Sequence, residues 1–348
     1  MSRGDSPPRT SVSSVGPVPL ALKFNPVTNP VIARVALCVM VIAALGCDKH
    51  ASESDSGGAS QSAVLDLSKR PNVLFEIFGE REDPRMIPIG TVEGGHLRGI
   101  VLDAPGWKSF DRIYTRSGAN YTLYQDGQVA GTATVKQGMW EKPGMPLYSL
   151  PNCHLLTPLS AVALDSKVKA GITVEFLASG TPLPGATQAQ KPEPLTREDA
   201  LTKARDIAMK VGTGAGIPKT RLDSLDYHGL AINTGATAQP TLIASFIDPN
   251  AEEAAAHGDE TSYVFVIADW DGTDYSPSFV KTVDGSAAHA EYRRYVDHLD
   301  IDGDGVDEVV IEGWRYGGDS FPIVLKFKSG HWLEIFHGAS DWCLDHQN

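Results

Sequence analysis

Apolar positions along this chain come mostly in short runs, alternating with polar residues or continuous over a few positions, a pattern that predicts β-strands. In the first half the runs fall at residues 73–78, 97–102, 112–115, 121–124, 129–135 and 172–177. Asp126-Gly127 stands between two of them, a dipeptide that suits the left-handed conformations of a two-residue hairpin turn. Strands at this spacing predict a β-sandwich or small barrel over residues 64–179. Trp107, Tyr114, Tyr121, Tyr124, Trp140 and Tyr148 either fill its core, the commoner role of aromatics in β domains, or line a groove for a carbohydrate or peptide.

One segment departs from the strand pattern. Leu201, Ala204, Ile207, Ala208 and Val211 recur on one helical face, and Thr196 with Asp199 forms a capping box with Asp in place of the usual Glu. Gly212 and Gly214 are expected to stop this helix. The run Gly212-Thr213-Gly214-Ala215-Gly216 closes a helix and meets Pro218, whereas a nucleotide-binding glycine loop follows a strand and opens a helix. Beyond it, strands are expected at residues 229–232, 241–247, 263–268 and 278–283, with a short helical turn at 251–257. A three-strand meander follows at 309–314, 321–327 and 332–336, turning at Ser329-Gly330. Residues 196–348 thus read as an α+β domain, and the chain as mostly β. Pro182, Pro184, Pro192 and Pro194 make residues 180–195 an extended interdomain linker.

The N-terminus bears on location. Arg34 precedes an apolar run from Val35 that ends in Ala43-Ala44-Leu45-Gly46-Cys47. The run is shorter than the roughly 18 residues of a membrane span and has the length of a signal-peptide apolar region. Its end resembles a bacterial lipoprotein signal, in which the cysteine after a small residue is lipidated and becomes the new N-terminus. That resemblance implies a signal peptide at 1–46, lipidation at Cys47 and a membrane anchor, and Gly46 fits the position before the cysteine while Ala44 and Leu45 fit less well. The segment 47–63, rich in Ser and Gly, then reads as a flexible tether. An exported, membrane-anchored protein of the cell envelope is the expectation, on the periplasmic or cell-surface face.

Composition is that of a globular protein, with 42% hydrophobic and 21% charged residues. Net charge is −13, and because residues 1–46 carry four basic residues against Asp5, the remainder is more acidic still. Such a surface repels phosphate backbones, so nucleic acid is not an expected partner. Cys153 and Cys343 remain outside the signal region, a pair that an oxidising compartment would allow to form a disulfide.

The most specific chemistry lies at Asp300-Ile301-Asp302-Gly303-Asp304-Gly305-Val306-Asp307-Glu308. Carboxylates at spacing two with a glycine for the sharp turn form the front half of a calcium loop, where a hard cation takes six to eight oxygen ligands. Asp307 stands where a helical EF-hand has an aliphatic residue, Ile311 where it has a bidentate acid, and Val309-Val310-Ile311 favours a strand where it has a helix. The segment instead resembles the D-x-D-G-D-G-x-x-D/E loops of FG-GAP and VCBS-type β-repeat proteins, which run into a strand. That resemblance implies Ca2+ held by Asp300, Asp302, Asp304 and Glu308 with the Val306 carbonyl, and leaves Asp307 facing outward.

No Gly-x-Ser-x-Gly, His-Glu-x-x-His, Cys-x-x-Cys or Walker motif is present, and the histidines lack metal-ligand spacing. Ser278 and Lys281 match a Ser-x-x-Lys spacing, but in a strand where that chemistry needs a helix N-terminus. Asp269, Asp271 and Asp274 form either an Asp-rich turn, the favoured reading, or a second acidic site. The leading expectation is an envelope binding or interaction protein with a structural calcium site and an unidentified protein or glycan partner. The alternative is a secreted, glycan-acting hydrolase that uses Asp-rich loop carboxylates.

Overall fold

The computed structural model describes residues 65–139, 159–185, 195–316 and 320–338. Every described residue belongs to one compact unit, Ser62–Asn348. Its elements are β1 (Asn72–Glu80), β2 (Arg85–Glu93), β3 (His96–Arg98), α1 (Ala104–Phe110), β4 (Asn120–Gln125), β5 (Gln128–Gln137), β6 (Ser160–Leu164) and β7 (Thr173–Ser179). There follow α2 (Arg197–Gly214), α3 (Lys219–Leu222), β8 (Asp226–Ile232), β9 (Thr241–Ile247), α4 (Ala251–His257), β10 (Glu260–Trp270) and β11 (Tyr275–Ser286). The last are β12 (Tyr292–Leu299), β13 (Glu308–Trp314), β14 (Ser320–Lys328) and β15 (His331–His337). Strands dominate, as the apolar pattern predicts.

The first region is a barrel. Its strands pair in the order β1-β7-β4-β5-β6-β2, β2 pairs back with β1, and β3 lies outside on β2. Phe75, Ile77, Leu123, Val135 and Phe176 fill the interior, together with Trp107 and Phe110 from α1. Among the described aromatics Trp107, Tyr121 and Tyr124 are buried, so these three are core. At the hairpin between β4 and β5, Asp126 and Gly127 both have positive φ, as a primed turn requires. Residues 112–115 correct the strand expectation, because they continue α1 as a π-helical turn at Asp111–Thr115. There the buried Asp111 carboxylate accepts from the Thr115 hydroxyl at 2.5 Å and the Met139 amide at 2.8 Å. Strand β2 carries Pro88 at a bulge against β1, where a missing N–H is tolerated.

In the second region β8 to β11 form one antiparallel sheet and β12 to β15 another. Helix α2 lies on the first of these through Ala200, Ala204 and Ala208, against Phe246, Val264 and Val266. The buried line is thus the small-residue line, with Leu201, Ile207 and Val211 half-buried beside it. Thr196 caps the helix by accepting from the Asp199 amide at 3.2 Å. Gly212 does not end it. A Cβ there would lie 2.9 Å from Leu222, so this glycine is a packing position within the helix, which continues to Gly214.

The β12–β15 sheet is covered on both faces. Val309, Ile311, Ile323 and Leu325 meet Tyr263, Phe265 and Ile267 of β10. Val296, Val310 and Val324 meet Leu74, Tyr124 and Leu177 of the barrel. Double burial is why β13 and β14 read as continuous apolar runs, as strands covered on both faces do. The regions on either side of residues 180–195 therefore share a core within one unit, and Leu183, buried in that core, donates its amide to the Tyr124 hydroxyl at 3.0 Å.

Candidate cation site

The acidic loop connects β12 to β13, so one end is fixed by Leu299 pairing with Glu308 and the rest projects beyond the sheet. Asp300 organises it. Its Oδ1 accepts from the amides of Gly303 at 2.6 Å and Asp304 at 3.1 Å, and its Oδ2 accepts from Gly305 at 2.9 Å. Positive φ at Gly303 and Gly305 allows these amides to turn inward. Burial raises the pKa of Asp300, against the pull of the Gly305 and Gly303 amides. The Val306 amide donates to Asp304 Oδ1 at 2.9 Å.

Carboxylate oxygens of Asp300, Asp302 and Asp304 lie within 4.8 Å of one another, a set that can hold a metal ion. A positive charge already reaches this cluster from β14. The Lys326 ammonium donates to Asp302 Oδ2 at 2.6 Å, Asp304 Oδ2 at 2.7 Å and Glu308 Oε1 at 2.9 Å. Burial works against the lysine charge, but hydrogen bonds to the three carboxylates hold its pKa above the ordinary value. Burial also pushes Glu308 up to about 7, although Lys326 and the Ile301 amide favour its charged form. At Asp304 burial is outweighed by Lys326 and the Val306 amide, and the pKa is lowered. Glu308 Oε2 accepts from the Ile301 amide at 2.8 Å, closing the loop from inside.

Other segments of the chain close on this loop. A Cβ on Gly95, in the β2–β3 turn, would lie 2.4 Å from Asp302 Cβ, and one on Gly185 would lie 2.2 Å from Asp300 Oδ2. Neither position accommodates a side chain without displacing the loop. From the β8–β9 connection, the Thr234 carbonyl accepts from the Asp307 amide at 2.8 Å. Barrel, linker and both sheets thus meet at residues 300–308. Asp307 corrects the outward orientation expected of it, since it is 6% exposed and its Oδ2 lies 2.7 Å from Nδ1 of the buried His298.

The chain matches no protein-family model, no curated protein and no solved structure.

The other acidic segment behaves differently. Asp271 Oδ1 accepts from the amides of Thr273 and Asp274 at 2.8 Å and 3.0 Å, and Asp274 pairs with Lys203 at 2.7 Å, so both serve a turn. Asp269 is buried, accepting from Thr241 Oγ1 at 2.6 Å, Ser278 Oγ at 2.5 Å and Trp332 Nε1 at 2.7 Å. It ties the two sheets of the second region together. Ser278 is occupied there, and Lys281 instead lies 3.5 Å from Glu291. Cys47, Cys153 and Cys343 lie outside the described residues, as do Trp140 and Tyr148. Among the described residues no helix is long and apolar enough to cross a membrane.

Proposed function

We propose that this chain is a lipid-anchored protein of the cell envelope, exported by the segment ending at Cys47, whose folded body is a binding or interaction module built around a structural calcium loop. The observation that supports this reading best is the convergence of Asp300, Asp302 and Asp304 at the place where barrel, linker and both sheets meet. An all-oxygen donor set suits a hard divalent cation, and calcium tolerates the irregular geometry of a loop. On this reading calcium displaces the Lys326 ammonium from Asp302 and Asp304 and takes over its task of neutralising the loop. The exchange of one cation for another keeps affinity moderate, near the range of about 0.1 to 1 mM known for extracellular calcium modules.

Titration of the calcium-stripped full-length chain with Ca2+ in a calorimeter tests the ion. One saturable site that disappears in the Asp302→Ala, Asp304→Ala double variant supports the reading, whereas the absence of any heat of binding up to several millimolar contradicts it. Cell fractionation tests the address: the chain belongs with membranes, and Cys47→Ala is expected to move it into the soluble extract. Unchanged partitioning of that variant would refute the lipid anchor.

A further inference from the structure

Away from the acidic loop, a second charged cluster sits where the barrel meets the β12–β15 sheet. Arg294 of β12 donates from Nη1 to Glu175 of β7 at 2.5 Å and from Nε to Glu312 of β13 at 2.5 Å, and its Nη2 lies 3.7 Å from Glu76 of β1. Glu76 and Glu175 are diagonal neighbours on paired strands, since Glu76 stands opposite Leu177 and Phe78 opposite Glu175, and both carboxylates reach the same guanidinium. The arrangement is unbalanced, because three carboxylates from three strands converge on one guanidinium. Carboxylates that share one site repel, and this repulsion favours a proton on one of them. The side chain of Glu76 is 12% exposed and those of Glu175 and Glu312 are 29% and 24%, so the excess negative charge is partly withdrawn from water.

We propose that this joint is a proton-dependent latch, in which one proton held between Glu76 and Glu175 lets three carboxylates share the Arg294 guanidinium, and loss of that proton loosens the barrel from the β12–β15 sheet. The groups facing the pair are Arg294 from β12 and Glu312 from β13, with the buried Tyr295 phenol close to Glu175. On the far side of β1, the β2 residue opposite Glu76 is the uncharged Ile87. Arg294 is the only cation among these groups. Burial, the largest influence, pushes Glu76 up to about 8, with Glu175 and Glu312 adding to the rise against Arg294. Burial likewise raises Glu175. The folded chain therefore keeps a proton that the unfolded chain releases above about pH 4.5, so the latch contributes fully below that pH and is lost as pH rises through about 8.

The test is amide hydrogen exchange of the full-length chain in chelator across that window, corrected for intrinsic rates, with β10 as the internal reference. Protection of β7 and β12 is expected to fall relative to β10 as pH rises. Glu76→Gln, which mimics the protonated acid, is expected to flatten that slope, and Glu175→Gln serves the same purpose if the first variant does not fold. Parallel protection of β7, β12 and β10 at every pH, or an undiminished slope in the glutamine variant, would overturn the latch.

Discussion

Two acidic segments of this chain look alike in sequence and do different things. Residues 269–274 and 300–308 both space aspartates closely around glycine. In the first, Asp271 serves its own turn, Asp274 pairs with Lys203, and Asp269 points inward to three donors on β9, β11 and β15. In the second, three carboxylates converge on one another, and Lys326 reaches two of them together with Glu308. The count of acids does not distinguish them. Convergence does: carboxylates that face a common point need a cation, while carboxylates that face separate donors are already satisfied.

The largest expected effect probes the segment without convergence. Asp269→Ala leaves the hydroxyls of Thr241 and Ser278 and the indole of Trp332 without their buried acceptor, and at about 1 kcal/mol or more for each donor the loss reaches roughly 3 kcal/mol. Urea unfolding should show this cost to be the same with calcium and with chelator. A calcium-dependent cost would erase the distinction between the two segments.

Next comes Lys326→Met, which removes the positive charge facing Asp302, Asp304 and Glu308. In chelator it is expected to cost about 2 kcal/mol, the range for leaving a buried charged group without its partner. Calcium should restore most of that loss and bind more tightly than to the wild type, since it no longer competes with an ammonium. A variant that calcium stabilises no more than it does the wild type would show that lysine and ion do not share the site. A smaller effect is expected from calcium on the wild-type chain, about 1.4 kcal/mol at 1 mM free ion for an assumed dissociation constant of about 0.1 mM. The smallest change is expected for Asp271→Ala, whose carboxylate serves an exposed turn; its unfolding midpoint should shift slightly and equally with and without calcium.

Much of the fold was legible from the apolar pattern. Residues 241–247 coincide with β9, and the runs at 309–314 and 321–327 fall in β13 and β14, because burial on both faces leaves no polar alternation to blur the signal. Strand β12 was not legible. Arg293, Arg294, Asp297 and His298 give it a charged appearance, yet Arg293, Asp297 and His298 are buried and Arg294 is held by glutamates of the barrel and of β13. A strand that buries paired charges carries no apolar period to read.

The candidate site was half legible for a similar reason. The spacing of Asp300, Asp302 and Asp304 announces a turn that gathers carboxylates, and they do gather. Lys326 lies on β14, beyond the strand that leaves the loop, and nothing local couples it to the acids until β13 and β14 pair. Gly95 and Gly185 carried a weak signal, since glycine marks close backbone approach, but only the fold shows what approaches. Asp307 was misplaced because the loop was read as facing solvent on its outer side, where the β8–β9 connection in fact covers it.

The most direct test of the account is thermal unfolding of the full-length chain in calcium and in chelator, beside the Asp302→Ala, Asp304→Ala double variant. The account predicts a midpoint that rises with calcium in the wild type and does not move in the variant. Identical wild-type midpoints in the two conditions would mean that Lys326 alone satisfies the loop, and the claim of a structural calcium site would fall.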